Sequence, residues 1–259
     1  MTFEEYIANP MGKANAVMSA GAREAQRTIY TRKFDNILLR DNGKIDYYLY
    51  KTDGAVYYAH IKVPSEVVKD FYYDVVFKFT GTKSQSPSTI GLDKYQVQFF
   101  SNDPAFVYTY AYVFRKKGLL IKELEPCMSR KALGTAPKEK NPDNQVGYVK
   151  SLYFAYIFMK SRGLFSRLRY SGAETYNQKT LLSRVEPADD KIEARQEAGA
   201  KLKSSRKRND ISKSTYNSLK RAGLKTKESE ELRVRTTKKT KVVKNKASNV
   251  RRTKSTKKF

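Results

Sequence analysis

Cysteine and histidine are almost absent from this chain, which has one of each, Cys127 and His60. A single cysteine cannot form an internal disulfide, and its scarcity is consistent with a reducing compartment or with indifference to the redox state. Zinc fingers, zinc-dependent deaminases and His-Asn-His nucleases need several such ligands, so the composition excludes these classes. We therefore expect no metal site and no cofactor.

Long apolar runs are also missing. The longest, Leu152 to Met159, is far shorter than the roughly 20 residues that a membrane-spanning helix needs. The opening "MTFEEYIANPMGK" is acidic and lacks the apolar core of a secretory signal. No apolar pattern recurs at periods of roughly 20 to 50 residues, which excludes a solenoid. We expect no membrane partner, no secretion by a signal peptide, and a protein that is soluble and intracellular where it is made.

Acidic residues are scarce relative to basic ones. The 259 residues include 26 Asp and Glu against 52 Lys and Arg, a formal net charge of +26. Such a charge favours a polyanionic partner, because each phosphate that a cation neutralises releases condensed counterions. Nucleic acid is the first hypothesis, with DNA favoured over RNA. An anionic membrane, an acidic protein surface or a solubilising tail are the alternatives.

The excess charge is concentrated at the end of the chain. Residues 198–259 contain 22 Lys and Arg against 4 Asp and Glu, a net +18, whereas residues 1–197 carry +8. Only 10 of these 62 residues are Leu, Ile, Val or Phe, too few to bury a core, so we predict a largely disordered basic tail that binds nucleic acid. The predicted phosphate contacts are Arg206, Lys207, Arg208, Lys213, Lys220, Arg221, Lys225, Lys227, Arg233, Arg235, Lys238, Lys239, Lys241, Lys244, Lys246, Arg251, Arg252, Lys254, Lys257 and Lys258.

One segment of the tail, Asn209 to Thr226, resembles the recognition-helix half of a helix-turn-helix protein. Ser212 is placed to cap a helix from which Lys213, Asn217 and Lys220 would reach DNA. The preceding helix is not in its usual place, because "KSSRKRND" separates the segment from Ile192 to Leu202. The alternative is a short helix that forms on a polyanion.

The centre of the chain has the period of β-structure. Turn-forming residues separate six candidate strands, which are Asn36–Arg40, Lys44–Lys51, Val56–Val63, Phe71–Thr80, Lys94–Ser101 and Phe106–Lys116. The short spacing leaves no room for most crossover helices. We predict an α+β fold with an antiparallel, curled or barrel-like sheet of about six strands.

Helices are predicted on either side of this sheet. Thr2 and Glu5 have the spacing of a capping box, and a second helix is predicted over Ala20 to Ile29. Tyr148 to Arg162 is apolar on most sides, which predicts a helix packed on the sheet or, as the alternative, against a second copy in a homo-oligomer. The predicted organisation is an N-terminal helical arm (1–29), an α+β body (30–165), a linker with a short helix (166–197) and the basic tail (198–259).

The stretch "KIDYYLYKTDGAVYYAHIKV", residues 44–63, predicts a β-hairpin around Asp53-Gly54. It also resembles the core of the PD-(D/E)xK nucleases, with Asp46, His60 and Lys62 as candidates. A two-residue loop places Asp46 on the opposite face from the other two, whereas a shift of one residue would bring all three together. His60 stands where that family has a carboxylate, and imidazole is a poor ligand for Mg²⁺. We therefore expect no catalysis, and the nuclease is the alternative.

Tyrosine doublets occur in three of the candidate strands, at residues 47–48, 57–58 and 72–73. Each doublet places one ring on either side of its strand. One ring of each pair can pack in a core while the other stacks on a base or meets a protein. Ordinary sheet packing is the simpler interpretation, because tyrosine has high strand propensity.

The opening "FEEYIANPMGKANAVMSAG", followed by "RTIYTRKFDNILLRDNGKIDYYLY", resembles the start of virion structural proteins of tailed phages. The resemblance covers about the first quarter of the chain and carries no catalytic motif, so it transfers no functional residue. It implies a particle-associated role, in the virion or the host cytoplasm, with packaged DNA or other virion proteins as partners. An RNA- or ribosome-associated accessory factor is a further alternative.

Overall fold

The computed structural model describes residues 1–8, 20–40, 43–81, 91–139 and 141–209. Met1–Ala200 forms one compact unit. The helices are α1 (Phe3–Ile7), α2 (Ala20–Arg40), α3 (Pro104–Thr109), α4 (Ala111–Lys116), α5 (Arg130–Gly134), α6 (Lys150–Ser161), α7 (Gln178–Arg184) and α8 (Ala188–Asn209). The strands are β1 (Tyr47–Lys51), β2 (Val56–Pro64), β3 (Tyr72–Thr80), β4 (Gln96–Ser101) and β5 (Glu174–Thr175). Short 3₁₀ helices cover Leu92–Lys94, Lys122–Cys127 and Arg167–Tyr170.

The fold is α+β, as predicted, but the sheet differs from the prediction. Among the described residues it has five strands in the order β4-β3-β2-β1-β5, and it is open rather than barrel-like. The pairs from β4 to β1 are antiparallel, whereas β5 lies parallel to β1, which makes the sheet mixed. Of the predicted antiparallel, curled or barrel-like sheet of about six strands, the antiparallel direction is thus correct for β1 to β4 and wrong for β5, and, within the described residues, the six strands and the barrel-like closure were wrong.

Two of the predicted strands are helical. Asn36–Arg40 is the end of α2, in which Phe34 and Ile37 are buried at helical spacing. Phe106–Lys116 forms α3 and α4. Asp103 caps α3 by accepting a hydrogen bond from the backbone N of Ala105, and Pro104 occupies the first turn. A helix start was thus misread as a turn before a strand.

The N-terminal capping box is confirmed. The backbone N of Thr2 donates to Glu5 over 2.7 Å, and the backbone N of Glu5 donates to the hydroxyl of Thr2 over 3.3 Å. This cap starts α1, which buries Phe3 and Tyr6 completely. The second helix also exists but extends to Arg40, beyond the predicted end at Ile29.

One face of the sheet, the aromatic face, is built from large apolar side chains. It carries alternate residues of the four long strands and is buried along most of its length, notably at Ala59, Ile61, Val63, Val75, Phe77, Phe79, Val97 and Phe99. α1 and α6 cover it, with Phe3 packed 5.1 Å from Phe77 and Tyr6 packed 4.0 Å from Phe99 between ring centroids. The predicted packing of the apolar helix on the sheet is confirmed, since α6 contacts β2 and β3.

The opposite face, the polar face, carries Tyr48, Tyr50, Tyr58, His60, Lys62, Asp74, Val76, Lys78, Gln98 and Phe100. The 3₁₀ segment Lys122–Cys127, α7 and the chain around Tyr176 lie over it. Both faces of the sheet are thus covered by later or earlier parts of the chain. Within the described ranges, no helix combines the length and apolarity needed to cross a bilayer.

Candidate functional site

The hairpin that raised the question of nuclease activity has a different register from the predicted one. Tyr48 lies opposite His60, and Lys51 opposite Tyr57, so the connection is the four residues 52–55 rather than Asp53-Gly54 alone. Thr52 closes this loop, because its backbone N donates to Val56 O over 3.1 Å and its hydroxyl accepts from Gly54 N over 3.2 Å. The shift of one residue moves Asp46 to the polar face, which carries His60 and Lys62.

The carboxylate that contacts His60 and Lys62 is nevertheless that of Asp74, on β3. Its Oδ1 accepts a hydrogen bond from His60 Nε2 over 2.8 Å and lies 3.3 Å from Lys62 Nζ. Asp46 is exposed, although its backbone O accepts from Lys62 N over 2.9 Å. The three predicted residues are thus close in the sheet, but Asp46 does not complete a catalytic set with the other two.

The second oxygen of Asp74 is equally occupied. Oδ2 accepts from Asn102 Nδ2 over 2.9 Å and from the backbone N of Glu186 over 3.0 Å. Asn102 also accepts from Asp74 N through its Oδ1 over 2.8 Å. The carboxylate of Asp74 thus accepts three hydrogen bonds and forms an ion pair with Lys62.

Because this cluster is mostly buried, its stability depends on the position of each hydrogen-bond donor. The side chains of His60 and Asp74 are 0% and 1% exposed, and Lys62 is 25% exposed. Burial acts to raise the pKa of Asp74, but the hydrogen bond from His60 and the charges of His60 and Lys62 outweigh it and hold the pKa below its usual value. Since the carboxylate accepts only, His60 Nε2 carries a proton. His60 Nδ1 is buried without a hydrogen-bond partner in the described structure.

The geometry therefore favours a structural role for this group. A metal ion would have to displace a donor from Asp74, and each displaced donor would lose its hydrogen bond in a buried place. Within the described ranges, no group of three or more His, Cys, Asp or Glu side chains is arranged to hold a metal ion.

A second polar cluster lies beside the first on the same face. Glu123 accepts hydrogen bonds from Lys78 Nζ over 2.5 Å and from the hydroxyl of Tyr58 over 3.3 Å. Burial acts to raise the pKa of Glu123, but these hydrogen bonds and the lysine charge lower it overall. Tyr176 stacks on Tyr58 with 4.3 Å between ring centroids. This cluster joins the 3₁₀ segment to the sheet.

The only cysteine of the sequence ends that 3₁₀ segment. Cys127 is buried, and its pKa is raised by burial and by the negative charge of Asp74. A thiol with a raised pKa is a weak nucleophile at neutral pH, because the thiolate is the reactive species. Burial therefore keeps the thiol of Cys127 in its protonated, less reactive form.

The tyrosine doublets mainly build the sheet. Tyr57, Tyr58 and Tyr73 are buried, and Arg184 packs over the ring of Tyr48 at 4.4 Å from the ring centroid. Tyr47 is 43% exposed but also packs edge-on against Phe158. The simpler interpretation of the doublets, sheet packing, is therefore favoured by the structure.

Only three of the predicted nucleic-acid contacts lie in the described residues. Arg206, Lys207 and Arg208 are on the last turn of α8. The other predicted contacts, from Lys213 to Lys258, and the recognition-helix prediction at Ser212, lie outside the described residues. Most of "KSSRKRND" belongs to α8. The tight turn of a helix-turn-helix is therefore not located in this stretch.

Sequence reasoning missed Asp74, Asn102, Glu123 and Arg184 as members of polar clusters. One signal was available, because Asp74 and Lys78 interrupt the otherwise apolar strand "YYDVVFKFT" at positions on the same face. A charged residue inside an apolar strand predicts a buried partner. The partners themselves follow only from the tertiary structure.

Comparison with known proteins adds no homologue, since no protein-family model, curated protein or solved structure matches this chain.

Proposed function

We propose that this is a non-enzymatic structural protein that binds nucleic acid through the phosphates. The observation that carries the proposal is the net charge of +18 on the 62 residues 198–259. Such a charge density attracts a polyanion without regard to sequence. The folded unit would position this basic segment, and DNA is the favoured partner.

The polar face supports the non-enzymatic part of the proposal. Asp74 already accepts three hydrogen bonds and pairs with Lys62, so a metal ion or a water nucleophile would have to compete with these partners. Cys127 is buried, and the negative charge of Asp74 helps to raise the pKa of its thiol. The nuclease alternative would need a different set of groups.

A role in a phage virion is the more specific form of the proposal. It rests on the resemblance of the first quarter of the chain to tailed-phage virion proteins and on the basic segment, which suits packaged DNA or an acidic inner capsid surface. Other virion proteins would then be partners, and a homo-oligomer would be compatible with such a role. An RNA- or ribosome-associated factor uses the same phosphate chemistry and differs in its preferred nucleic acid.

The test is a salt titration of binding for the full chain and for a variant that ends at Glu197. Every buried apolar residue of the described part lies at or before Ile192, so the truncated chain keeps its core. If about six phosphates are engaged, log K should fall with log salt at a slope of about −5, a loss of about a thousandfold between about 50 and 200 mM. The truncated protein should lose most of this slope. Equal affinity and slope for both proteins would contradict the assignment to the basic segment.

A separate assay addresses catalysis. Purified protein with Mg²⁺ or Mn²⁺ should leave single- and double-stranded DNA and RNA intact. Cleavage that is lost in both Lys62→Ala and Asp46→Ala, and with a chelator, would establish the nuclease alternative. Exposed Asp53→Ala, in the hairpin loop, is the matched control for an unspecific effect of removing a carboxylate.

A further inference from the structure

A small cleft lies between α3, α4 and the chain that follows α5. It encloses about 150 Å³ and is lined mainly by apolar surface, including Tyr108, Tyr112, Lys131, Ala132 and Pro137. An apolar cavity of about this volume holds one benzene-sized ring in other proteins. The cleft is therefore of the size of a single planar ring.

Two tyrosines give the cleft its aromatic wall. Tyr108 is the second-to-last residue of α3, and 46% of its surface is exposed. Tyr112 follows on α4 and is half-buried. Val107 and Ala132, both buried, form the base of the cleft. This position was not foreseen from the sequence, because the segment was predicted to be a strand.

The structure places two lysines, Lys116 and Lys131, at the cleft. Residues 104–139 include seven Lys and Arg against three Asp and Glu. Glu125 pairs with Arg115 and Glu123 pairs with Lys78, so two of the three acidic charges are already compensated. Lys116 lies over the ring of Tyr112 at 5.9 Å, and Lys131 lines the cleft itself. Among the described residues, neither Lys116 nor Lys131 has a carboxylate within ion-pair distance.

We propose that this cleft binds one unstacked base of single-stranded nucleic acid, with the adjacent phosphates held by the lysines around it. The inference rests on the proposed function, to which it adds a second contact site on the folded unit. Aromatic rings bind bases of any sequence because every base has a π-face, and a cationic rim follows the backbone. The charge of the rim favours this occupant over an apolar peptide.

The geometry also distinguishes single strands from duplexes. A base in a duplex is stacked on both sides, so it reaches a narrow cleft only after it is unpaired and unstacked. The basic segment 198–259, by contrast, would bind the phosphates of either form. The cleft therefore adds a preference for single strands to a binding activity that otherwise has none.

The experiment measures binding of the full chain to an oligothymidine single strand and to a duplex of equal length, by fluorescence anisotropy at about 150 mM salt. Tyr108→Ala should weaken single-strand binding by about 5- to 150-fold, the range for loss of one stacked base, and leave duplex binding unchanged. Tyr108→Phe should retain the preference, because it keeps the ring. Tyr47→Ala is the matched control, since Tyr47 has a similar exposure of 43% and lies on β1.

A photo-crosslinking experiment on the wild-type full chain gives an independent readout. A single strand that carries 4-thiothymidine should crosslink to the peptide that contains Tyr108 and Tyr112. Crosslinks confined to residues 198–259, or an unchanged single-strand affinity in Tyr108→Ala, would overturn the cleft site while leaving the proposed function intact. Absence of any nucleic-acid binding by the wild-type protein would overturn both.

Discussion

The two faces of the sheet bury different kinds of side chain and are stabilised by different interactions. The aromatic face removes rings and branched side chains from water, with Phe77, Phe79 and Phe99 packed against Phe3 and Tyr6. The polar face buries the carboxylate of Asp74 and the imidazole of His60, which are hydrogen-bonded to each other, and the half-buried Lys62 pairs with the carboxylate. The first interaction is non-directional and the second depends on the position of every donor.

The comparison indicates which interactions stabilise each face of the sheet. On the aromatic face the contribution of a side chain follows the apolar area that it buries, and a truncated ring also leaves a cavity. On the polar face, removal of one partner leaves the others buried and unsatisfied. The two faces should therefore respond differently to substitution and to pH.

The largest effect is expected on the aromatic face. Phe77 is fully buried, 5.1 Å from Phe3 and 5.8 Å from Phe99 between ring centroids. Phe77→Ala should lower the free energy of unfolding by about 3–5 kcal/mol, measured by urea denaturation. Leu168→Ala, at a side chain that is 83% exposed, should change it by less than about 0.5 kcal/mol. Similar values for the two variants would refute the assignment of the core to this face.

The next effect concerns the buried carboxylate. Asp74→Asn should cost about 2–3 kcal/mol, because one of its atoms becomes a donor among the existing donors His60, Asn102 and the backbone N of Glu186. Asp46→Asn, at an exposed carboxylate on the same face, is the control and should have little effect. A stabilised Asp74→Asn protein would mean that the charge is not compensated as the structure indicates.

A smaller effect is expected where the aromatic face meets solvent. Tyr156 on α6 is half-buried and stacks on Phe3 with 5.5 Å between ring centroids. Tyr156→Asp should destabilise by about 1–3 kcal/mol, because a carboxylate loses hydration against Phe3 and Phe165. Tyr156→Phe should be close to wild type in a thermal melt. An unchanged melting temperature for the aspartate variant would indicate that α6 is exposed there.

The smallest effect is a dependence on pH that belongs to the polar face alone. The pKa of Asp74 is lowered in the folded protein, so its ionised form contributes stability that is complete above the unfolded pKa of about 3.9. This contribution is lost as the pH falls through the folded pKa. The stability difference between wild type and Asp74→Asn should therefore shrink below pH about 4, as measured by denaturation at several pH values. Phe77→Ala should show a constant difference over the same range.

The aromatic face was largely predictable from the sequence, because alternation of apolar residues places four strands near their observed positions. The capping box at Thr2 and Glu5 correctly located α1. Prediction failed where local signals were ambiguous, as at Asp103-Pro104, which begins a helix rather than ending a turn. The hairpin register failed for a similar reason, since Thr52 joined the loop instead of the strand.

The polar face was not predictable in the same way. Asp74 is hydrogen-bonded to Asn102, which is 28 residues away in the sequence, and to the backbone N of Glu186, which is 112 residues away. No periodicity within a segment carries information about such partners. The parallel pairing of β5 with β1 is equally remote from its local sequence, because β5 has only two residues and both are exposed.

Because Cys127 is buried, the rate at which a reagent modifies its thiol can report how often the protein opens locally. The thiol is buried in the 3₁₀ segment, which Glu123 joins to β2 and β3, so we expect a thiol reagent to reach it mainly when this segment detaches from the sheet. Because the sequence has no other cysteine, each modified molecule reports one such event. The labelling rate under native conditions would thus time the separation of this layer from the sheet without any engineered probe.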